Sequence, residues 1–435
     1  ENTTFDATFS QNNLNFTFKS NKITYNDIAL NDIQIKNKTI GNNLLINANL
    51  KEVILKEMNQ GKLMLGMDDL AFKFDIHSDS LLMDMSWNNY KNEDKNKGKL
   101  NATFLHEGKN AGKLYLSSSD VFINDTLWNI SKDCYVEYNN KKISFNDMRI
   151  FSNNQVIGVD GYFPKQSNDT LSLYFNELDV SNFDILLEGA GINLDGIIDG
   201  DIMIAGIKED ITLSSNLSID KIGVSGYKIG DASFYAHWNP ADTSICVNTK
   251  ITRNDRDTLL NLSGNYYTKR DNDNLNFYLN MSDMDISVIN EIAKGTLSRI
   301  EGNLSGNFNI DGSLKKPVFT GEAQLSDAAC QIDYLNTYYK VNPSNVIDTI
   351  KPYIKSRENI IEVADIVLVD SSNHRAIASG FIKHDYLKKF NFDINATMYD
   401  FLAMNMPVYD KASFYGTVVA NGDLKITGPL KNINM

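Results

Sequence analysis

The sequence predicts an all-β protein built from an elongated, repetitive antiparallel sheet, with a few short helices at its edges. Two observations predict this class. Apolar and polar residues alternate along most of the chain, and a longer pattern of strands and glycines recurs through its second two-thirds. Composition agrees, because the abundant Asn, Asp, Ser and Thr are poor residues for helix interiors. Hydrophobic residues make up 42% of the chain, which is enough to fold.

Strict alternation is clearest in three runs, Leu171–Asn176, Leu275–Asn280 and Phe390–Asn395. Every second residue in each run is Leu, Phe or Ile, while those between are Asn, Ser, Asp or Tyr. Because successive side chains of a strand point to opposite faces, each run predicts a strand with one apolar and one polar face. A sheet made of such strands is apolar on one side only.

A glycine pair with a spacing of six residues follows each of these runs and recurs after 106 and then 116 residues. Glycine suits turns and bulges that require positive φ, so we assign these residues as structural turn glycines. The six are Gly200, Gly206, Gly306, Gly312, Gly422 and Gly428. The pattern divides the chain into a divergent β-repeat region (1–155), two repeat units (156–295 and 296–410) and the truncated start of a further repeat (411–435).

Helical patterns are few and short. Ser181–Gly189 and Ser287–Gly295 each have a polar start and a glycine stop around two turns, and a helical insertion is predicted near 344–356. These segments are too small to cover a sheet face. They are predicted to lie at its edge.

Several function classes have no support in the sequence. The net charge of −13 and the lack of a basic face argue against nucleic acid as a partner. The five histidines form no metal-ligand pair, and no nucleophile elbow, Walker loop or dinucleotide fingerprint occurs. We therefore predict no catalytic residue, no metal, no cofactor and no enzymatic activity. Cys134, Cys246 and Cys330 are predicted to be buried structural thiols.

The apolar face must be covered by helices, a second sheet, the sheet itself or a ligand. Helices are too scarce, and the long repeat favours an elongated solenoid whose apolar faces join into one stripe. The residues of that stripe are candidates for an acyl-chain track, while their alternative role is ordinary core packing. They are Leu171, Leu173, Phe175, Ile202, Ile204, Leu213, Leu217, Leu275, Phe277, Leu279, Leu304, Phe308, Ile310, Phe319, Leu325, Phe390, Phe392, Ile394, Leu424 and Ile426.

One stretch resembles a known family. The residues Gly302–Gly321, which read GNLSGNFNIDGSLKKPVFTG, are similar to a signature in the C-terminal part of TamB-like translocation and assembly proteins of the AsmA-like/TamB superfamily. The run from Phe414 to Leu430 resembles the next such block. The resemblance covers roughly 156–435.

The resemblance implies a β-taco, a half-pipe of sheet with an apolar lumen. It implies a segment of a lipid conduit in the periplasm of a Gram-negative bacterium, anchored in the inner membrane by a segment absent from this chain. It further implies transport of phospholipid, bound by its acyl chains, between the two membranes and an aid to outer-membrane protein assembly. A TamA-type barrel would be contacted through regions outside this chain. The alternative is a structural or adhesive β-solenoid with a closed core and no lipid.

Overall fold

A computed structural model describes residues 2–10, 13–25, 28–57, 64–89, 96–183, 193–208, 211–254, 256–342, 353–386, 388–408, 415–429 and 434. The structure is all-β, with 77% strand and 3% helix. Among the described residues, no helix reaches seven residues. The all-β prediction is therefore confirmed.

The chain forms two compact units, residues 1–217 and 218–435. Neither boundary of these units coincides with the predicted repeat boundaries, which remain predictions. The strands that lie in the first unit are β1 (Thr3–Ser10), β2 (Asn13–Tyr25), β3 (Ile28–Ile40), β4 (Asn43–Glu57), β5 (Met64–Ile76), β6 (Ser80–Asn89), β7 (Gly98–His106), β8 (Ala111–Ile123), β9 (Thr126–Ile130), β10 (Tyr135–Asn139), β11 (Lys142–Ser152), β12 (Gln155–Tyr162), β13 (Thr170–Asp179) and β14 (Leu194–Ala205).

The next strand, β15 (Thr212–Val224), includes the residues at which the two units divide. The remaining strands lie in the second unit. They are β16 (Tyr227–Asn239), β17 (Ser244–Arg253), β18 (Asp257–Tyr267), β19 (Leu275–Asp285), β20 (Leu297–Ser313), β21 (Lys316–Ile332), β22 (Thr337–Val341), β23 (Tyr353–Arg357), β24 (Ile360–Val369), β25 (Arg375–Lys383), β26 (Asn391–Met406) and β27 (Gly416–Pro429).

Pairing is antiparallel and mostly between consecutive strands, as in β4–β5 and β20–β21. Each unit contains one interrupted strand. In the first unit β9 and β10 lie in line between β8 and β11, and each of them pairs with both neighbours. In the second unit β22 and β23 lie in line between β21 and β24 in the same way.

The predicted strands and helices can be located in this framework. Leu171–Asn176 lies in β13 and Leu275–Asn280 in β19, as predicted, while β26 begins at Asn391, one residue after Phe390. A 3-10 helix spans Val180–Phe183. The second predicted helix is present as a 3-10 turn, Ile286–Ile289, followed by the α-helix Asn290–Ala293.

Two predicted helical segments fall partly outside the described residues, at 184–192 and 343–352. The described end of the segment near 344–356 is strand, not helix, because residues 353–357 form β23. Their backbone groups pair with β21 on one side and β24 on the other, which fixes an extended conformation whatever the local helical pattern.

Acidic residues in the left-handed region of φ interrupt several strands. The φ angle is 50° at Asp147, 45° at Glu177, 54° at Asp283 and 49° at Asp400, each where the register of its strand shifts. A bulge leaves its extra residue without a ladder partner, so its N–H needs another acceptor. Side chains of the following strand accept these N–H groups: Asp160 (3.0 Å), Asp199 (2.8 Å), Ser305 (2.8 Å) and Asn421 (2.8 Å).

Five of the six paired glycines lie inside strands, although five of the six have the positive φ on which their assignment rested. Gly200 lies within β14, Gly306 and Gly312 within β20, and Gly422 and Gly428 within β27. Gly206, with φ of 65°, does follow the end of β14. Close strand packing accounts for Gly200, Gly306 and Gly312, since a Cβ added at Gly200 would lie 2.0 Å from the carbonyl oxygen of Asn216. At Gly422 an added Cβ would meet no atom within 4 Å, so its φ of 117° favours glycine there.

Gly306 offers a direct test of that close packing. An added Cβ would lie 2.5 Å from the carbonyl oxygen of Glu322 and 2.7 Å from the Cα of Ala323. We expect Gly306→Ala to lower the free energy of unfolding by about 1–3 kcal/mol, because backbone atoms must shift to admit the methyl group. Urea denaturation measures the change. Asp311→Ala, at an exposed position of the same strand, should stay within about 0.5 kcal/mol of wild type, and an equal effect of both substitutions would contradict the explanation.

Candidate functional site

Cross-strand register joins apolar side chains of the first unit into a continuous row. Residues that are directly opposite in an antiparallel pair share a face, so the row can be traced from one pairing to the next. It crosses ten strands, β4 to β8 and β10 to β14, without a polar residue. Its members, called the first-unit row, are Leu44, Ile76, Leu81, Phe104, Leu114, Val136, Phe145, Gly161, Leu171 and Ile204.

The opposite face of the first unit is polar from β1 to β8. Register there joins Asp6, Thr17, Lys36, Asn47, Lys73, Asp84, Asn101 and Ser117, and those in β4 to β8 lie three positions from a member of the first-unit row. This polar row crosses β1 to β8 without an apolar residue. The first unit is therefore one-sided over most of its strands, as the alternation predicted.

The second unit has an equivalent row on eleven strands, β16 to β21 and β23 to β27. Its members are again apolar or glycine. This second-unit row consists of Ala232, Ile251, Leu260, Met281, Gly306, Ala323, Ile354, Val363, Gly380, Ile394 and Ile426.

The polar row of the second unit runs beside it. Its members are Ser233, Lys250, Asn261, Asn280, Asn307, Glu322, Lys355, Glu362, Phe381, Asp393 and Thr427, of which Phe381 is the apolar exception. The amides of this row interact across strands, because Asn307 Oδ1 accepts hydrogen bonds from Tyr278 (2.8 Å) and Asn280 (2.7 Å).

The structure places most of the candidate track residues on these apolar faces. Phe277 pairs with Ile310, and Ile310 pairs with Phe319. Leu213 and Leu217 lie in β15, and Phe390 precedes β26. Leu275 is buried, whereas the other nineteen candidates are half-buried. Half-burial is the condition of an apolar face that the protein itself covers only in part.

The candidate track residues include none of the first 155 residues, although alternation predicts one-sided strands there as well. There Phe18, Ile35, Phe72 and Met85 belong to a row that begins at Phe5 and crosses β1 to β7. Alternation within each strand could have found them one strand at a time. What it could not supply is the register that aligns them, because bulges shift the pairing between strands.

Parts of the apolar faces are fully covered. In the second unit Tyr339, Ala376, Met398 and Phe401 form a buried cluster, and the candidate Leu424 packs against it. The rings of Tyr339 and Phe401 stack with centroids 4.7 Å apart. Burial raises the pKa of the Tyr339 phenol to about 12, because an ionised phenolate would be desolvated there.

Alkaline unfolding should report this burial. The Tyr339 pKa is raised in the folded state, so its contribution to stability is complete below about pH 10 and is lost between about pH 10 and pH 12, where the unfolded chain has already released the proton. We expect Tyr339→Phe to abolish that loss, which amounts to about 1–3 kcal/mol. Urea denaturation at pH 8 and pH 11.5 measures it. Tyr278→Phe, at an exposed phenol, is the control, and parallel losses in wild type and Tyr339→Phe would contradict the prediction.

The part of the chain that the structure describes gives little support for other kinds of functional site. No group of three or more His, Cys, Asp or Glu residues there is placed to hold a metal ion. No described helix has the length and apolar character needed to cross a membrane. Cys134 is fully buried, as predicted, whereas Cys246 and Cys330 are only partly buried, and burial raises the pKa of the Cys330 thiol.

Comparison with known proteins adds nothing to this description. No protein-family model, no curated protein and no solved structure matches the chain. The half-buried apolar faces, each opposite a polar one, are thus the feature from which a function must be argued.

Proposed function

We propose that this chain is a segment of a lipid conduit, and that the apolar faces of its two units bind phospholipid acyl chains. The observation that carries the proposal is the continuity of the apolar rows. The first-unit row crosses ten strands and the second-unit row eleven, with no polar side chain in either. A binding surface for hydrocarbon needs no chemistry beyond a continuous apolar surface with a hydrated back.

Burial along the rows supports an open face over a closed core. All ten members of the first-unit row are half-buried, and so are eight of the eleven members of the second-unit row, the exceptions being the buried Ala232, Ile251 and Ala323. Residues sealed in a core would be almost completely buried and closely packed. Hydrocarbon laid along such a row would remove the exposed apolar area from water and gain about 0.8 kcal/mol per buried methylene.

The length of a row favours a conduit over a pocket for one lipid. Ten strands at about 4.8 Å per ladder step give roughly 43 Å, before twist shortens the path. One leaflet of a bilayer has a hydrocarbon thickness of about 15 Å, half of the whole core. A row therefore exceeds the length of one acyl chain. In our proposal the sheet curls into a half-pipe around this surface, as in a β-taco.

The resemblance of Gly302–Gly321 to TamB-like proteins extends the proposal to a cellular setting. The conduit would lie in the periplasm of a Gram-negative bacterium, anchored in the inner membrane, and would carry phospholipid between the two membranes. An aid to outer-membrane protein assembly through a TamA-type barrel is part of the same proposal. The anchor and the barrel contact would belong to regions outside this chain.

A structural or adhesive β-solenoid with a closed core is the second candidate. The buried clusters favour it, notably Ile33, Leu50, Val53 and Leu70 in the first unit. Native mass spectrometry of the purified chain, combined with lipid extraction, separates the two. We expect co-purified phospholipid bound in more than one copy. A lipid-free chain that also takes up no lipid from phospholipid vesicles would refute the conduit.

A further inference from the structure

In each unit a set of contacts between residues distant in sequence closes part of the sheet over its own apolar face. In the first unit they run from β9 and the turn before it to the 3-10 helix Val180–Phe183 that follows β13. In the second unit they run from β22 and the turn before it to the last residues of β26. Three strand pairings separate β9 from β13, and three separate β22 from β26. Three ladder steps span about 14 Å in a flat sheet. Any direct hydrogen bond across that span therefore requires the polypeptide to close over the face. We call each set of contacts a clasp.

The clasp of the second unit consists of three hydrogen bonds and a ring stack. The backbone N–H of Asn405 donates to the carbonyl oxygen of Leu335 (2.9 Å). The side-chain amide of Asn336 donates to the backbone carbonyl oxygen of Asn405 (2.8 Å). The Tyr339 hydroxyl donates to the carbonyl oxygen of Leu402 (2.8 Å). The Tyr339 ring stacks on Phe401, and Tyr339 retains only 3% of its exposure.

The clasp of the first unit consists of two hydrogen bonds and a contact between two aromatic rings. The side-chain amide of Asn124 donates to the carbonyl oxygen of Ser181 (3.3 Å), and the Thr126 hydroxyl lies 3.1 Å from Asn182 Oδ1. The rings of Trp128 and Phe183 have centroids 5.9 Å apart. Trp128 is 1% exposed, which makes it the counterpart of Tyr339.

Each clasp divides the apolar face into a sealed and an open strip. On β26, Met398 is buried beside Tyr339, whereas Phe392 and Ile394 on the same face are half-buried. On β13, Leu178 is buried, whereas Leu171 on the same face is half-buried. On each strand, the buried residue and the half-buried residues lie on the same face and are all apolar. They differ only in their position relative to the clasp.

We infer that the two clasps confine bound hydrocarbon to the open strip of each unit, so that the clasp residues set the width of the binding face. This inference rests on the proposed function for its ligand, but the division of the face is a property of the protein alone. Trp128, Tyr339 and Phe401 are positioning residues in it. They lie at the border of the open strip and do not themselves line it.

The experiment uses matched positions with and without lipid. Single cysteines are placed at Phe392 and Met398, and at Leu171 and Leu178, in a chain whose Cys246 and Cys330 are changed to Ala. In the lipid-free protein a membrane-impermeant thiol reagent should modify the cysteines at 392 and 171 at least tenfold faster than those at 398 and 178. A photo-crosslinking residue at the same positions should then capture phosphatidylethanolamine from vesicles at 392 and 171 only.

Opening a clasp should move the boundary. Tyr339→Ala removes the ring and its hydrogen bond, so labelling and lipid capture at 398 should rise toward the values at 392. Tyr338→Ala, at the neighbouring residue whose hydroxyl contacts Glu301, should leave both unchanged. Equal labelling of paired positions in wild type, or no response to Tyr339→Ala while circular dichroism shows folded protein, would overturn the clasps. Unequal labelling with no lipid capture anywhere would uphold the clasps and overturn the conduit.

Discussion

A photo-crosslinking residue at Phe277 is expected to capture phospholipid in cells, whereas the same residue at the adjacent Asn276 should capture at most a tenth as much. Phe277 shares its face with Ile310 and Phe319, and Asn276 pairs with Asn265 on the polar face. Burial of acyl surface at about 25 cal/mol per Å² favours contact with the apolar side, and the polar side offers no comparable gain. Lipid extraction of the crosslinked protein and mass spectrometry measure the ratio.

Strand β20 supplies an independent repetition of this test. Leu304 and Phe308 should behave like Phe277, with Asn303 and Asn307 as their controls, because register places the first two with Leu325 and Gly321. Equal capture at adjacent positions, or no capture at any of them, would count against a one-sided lipid face and favour the closed solenoid.

A carboxylate on the open part of the apolar face should abolish lipid binding with little effect on folding. In Ile426→Asp the new charge would stand at a half-buried position, where it can remain hydrated, so we expect at least a tenfold loss of bound phospholipid and a change in the free energy of unfolding below about 1.5 kcal/mol. Native mass spectrometry gives the lipid content, and urea denaturation gives the stability.

The same substitution at Met398 is the matched comparison. Met398 is 9% exposed and packs in the cluster of Tyr339, Ala376 and Phe401, so Met398→Asp would strand a charge in an apolar site. We expect a loss of several kcal/mol, a large fraction of the total stability of a folded domain. Should Ile426→Asp unfold the protein as readily, the face would be a closed core along its whole width.

The sequence predicted the local structure well and the assembly of that structure less well. Alternation identified strands such as Leu275–Asn280 because the two-residue period of a strand is written directly in the residues. Gly200, Gly306 and Gly312 were expected at turns but lie inside strands, because glycine serves close strand packing as readily as a turn. Only the position of the neighbouring backbone, as beside Gly200, distinguishes the two roles.

The candidate face was predictable in its parity but not in its extent. Alternation separates Phe277 from Asn276, yet the clasp joins Tyr339 to Leu402 across 63 residues, and no local pattern encodes such a contact. Bulges such as the one at Asp283 also shift the register in ways that composition does not reveal. The residues at the border of the open strip can therefore be identified only from the three-dimensional pairing.

The separation in sequence between clasped residues also has a consequence for the order of folding. Most strands pair with the one just before them, so each can dock as soon as it has formed, with little entropy lost to loop closure. The clasps instead join residues 57 apart in Asn124 and Ser181 and 69 apart in Asn336 and Asn405. Such contacts require every intervening strand to be in place. A chain that emerges from its N-terminus would thus build its ladder hairpin by hairpin. Each clasp would close only after the strands between its two ends have formed, and the apolar surface beneath it would stay accessible until then.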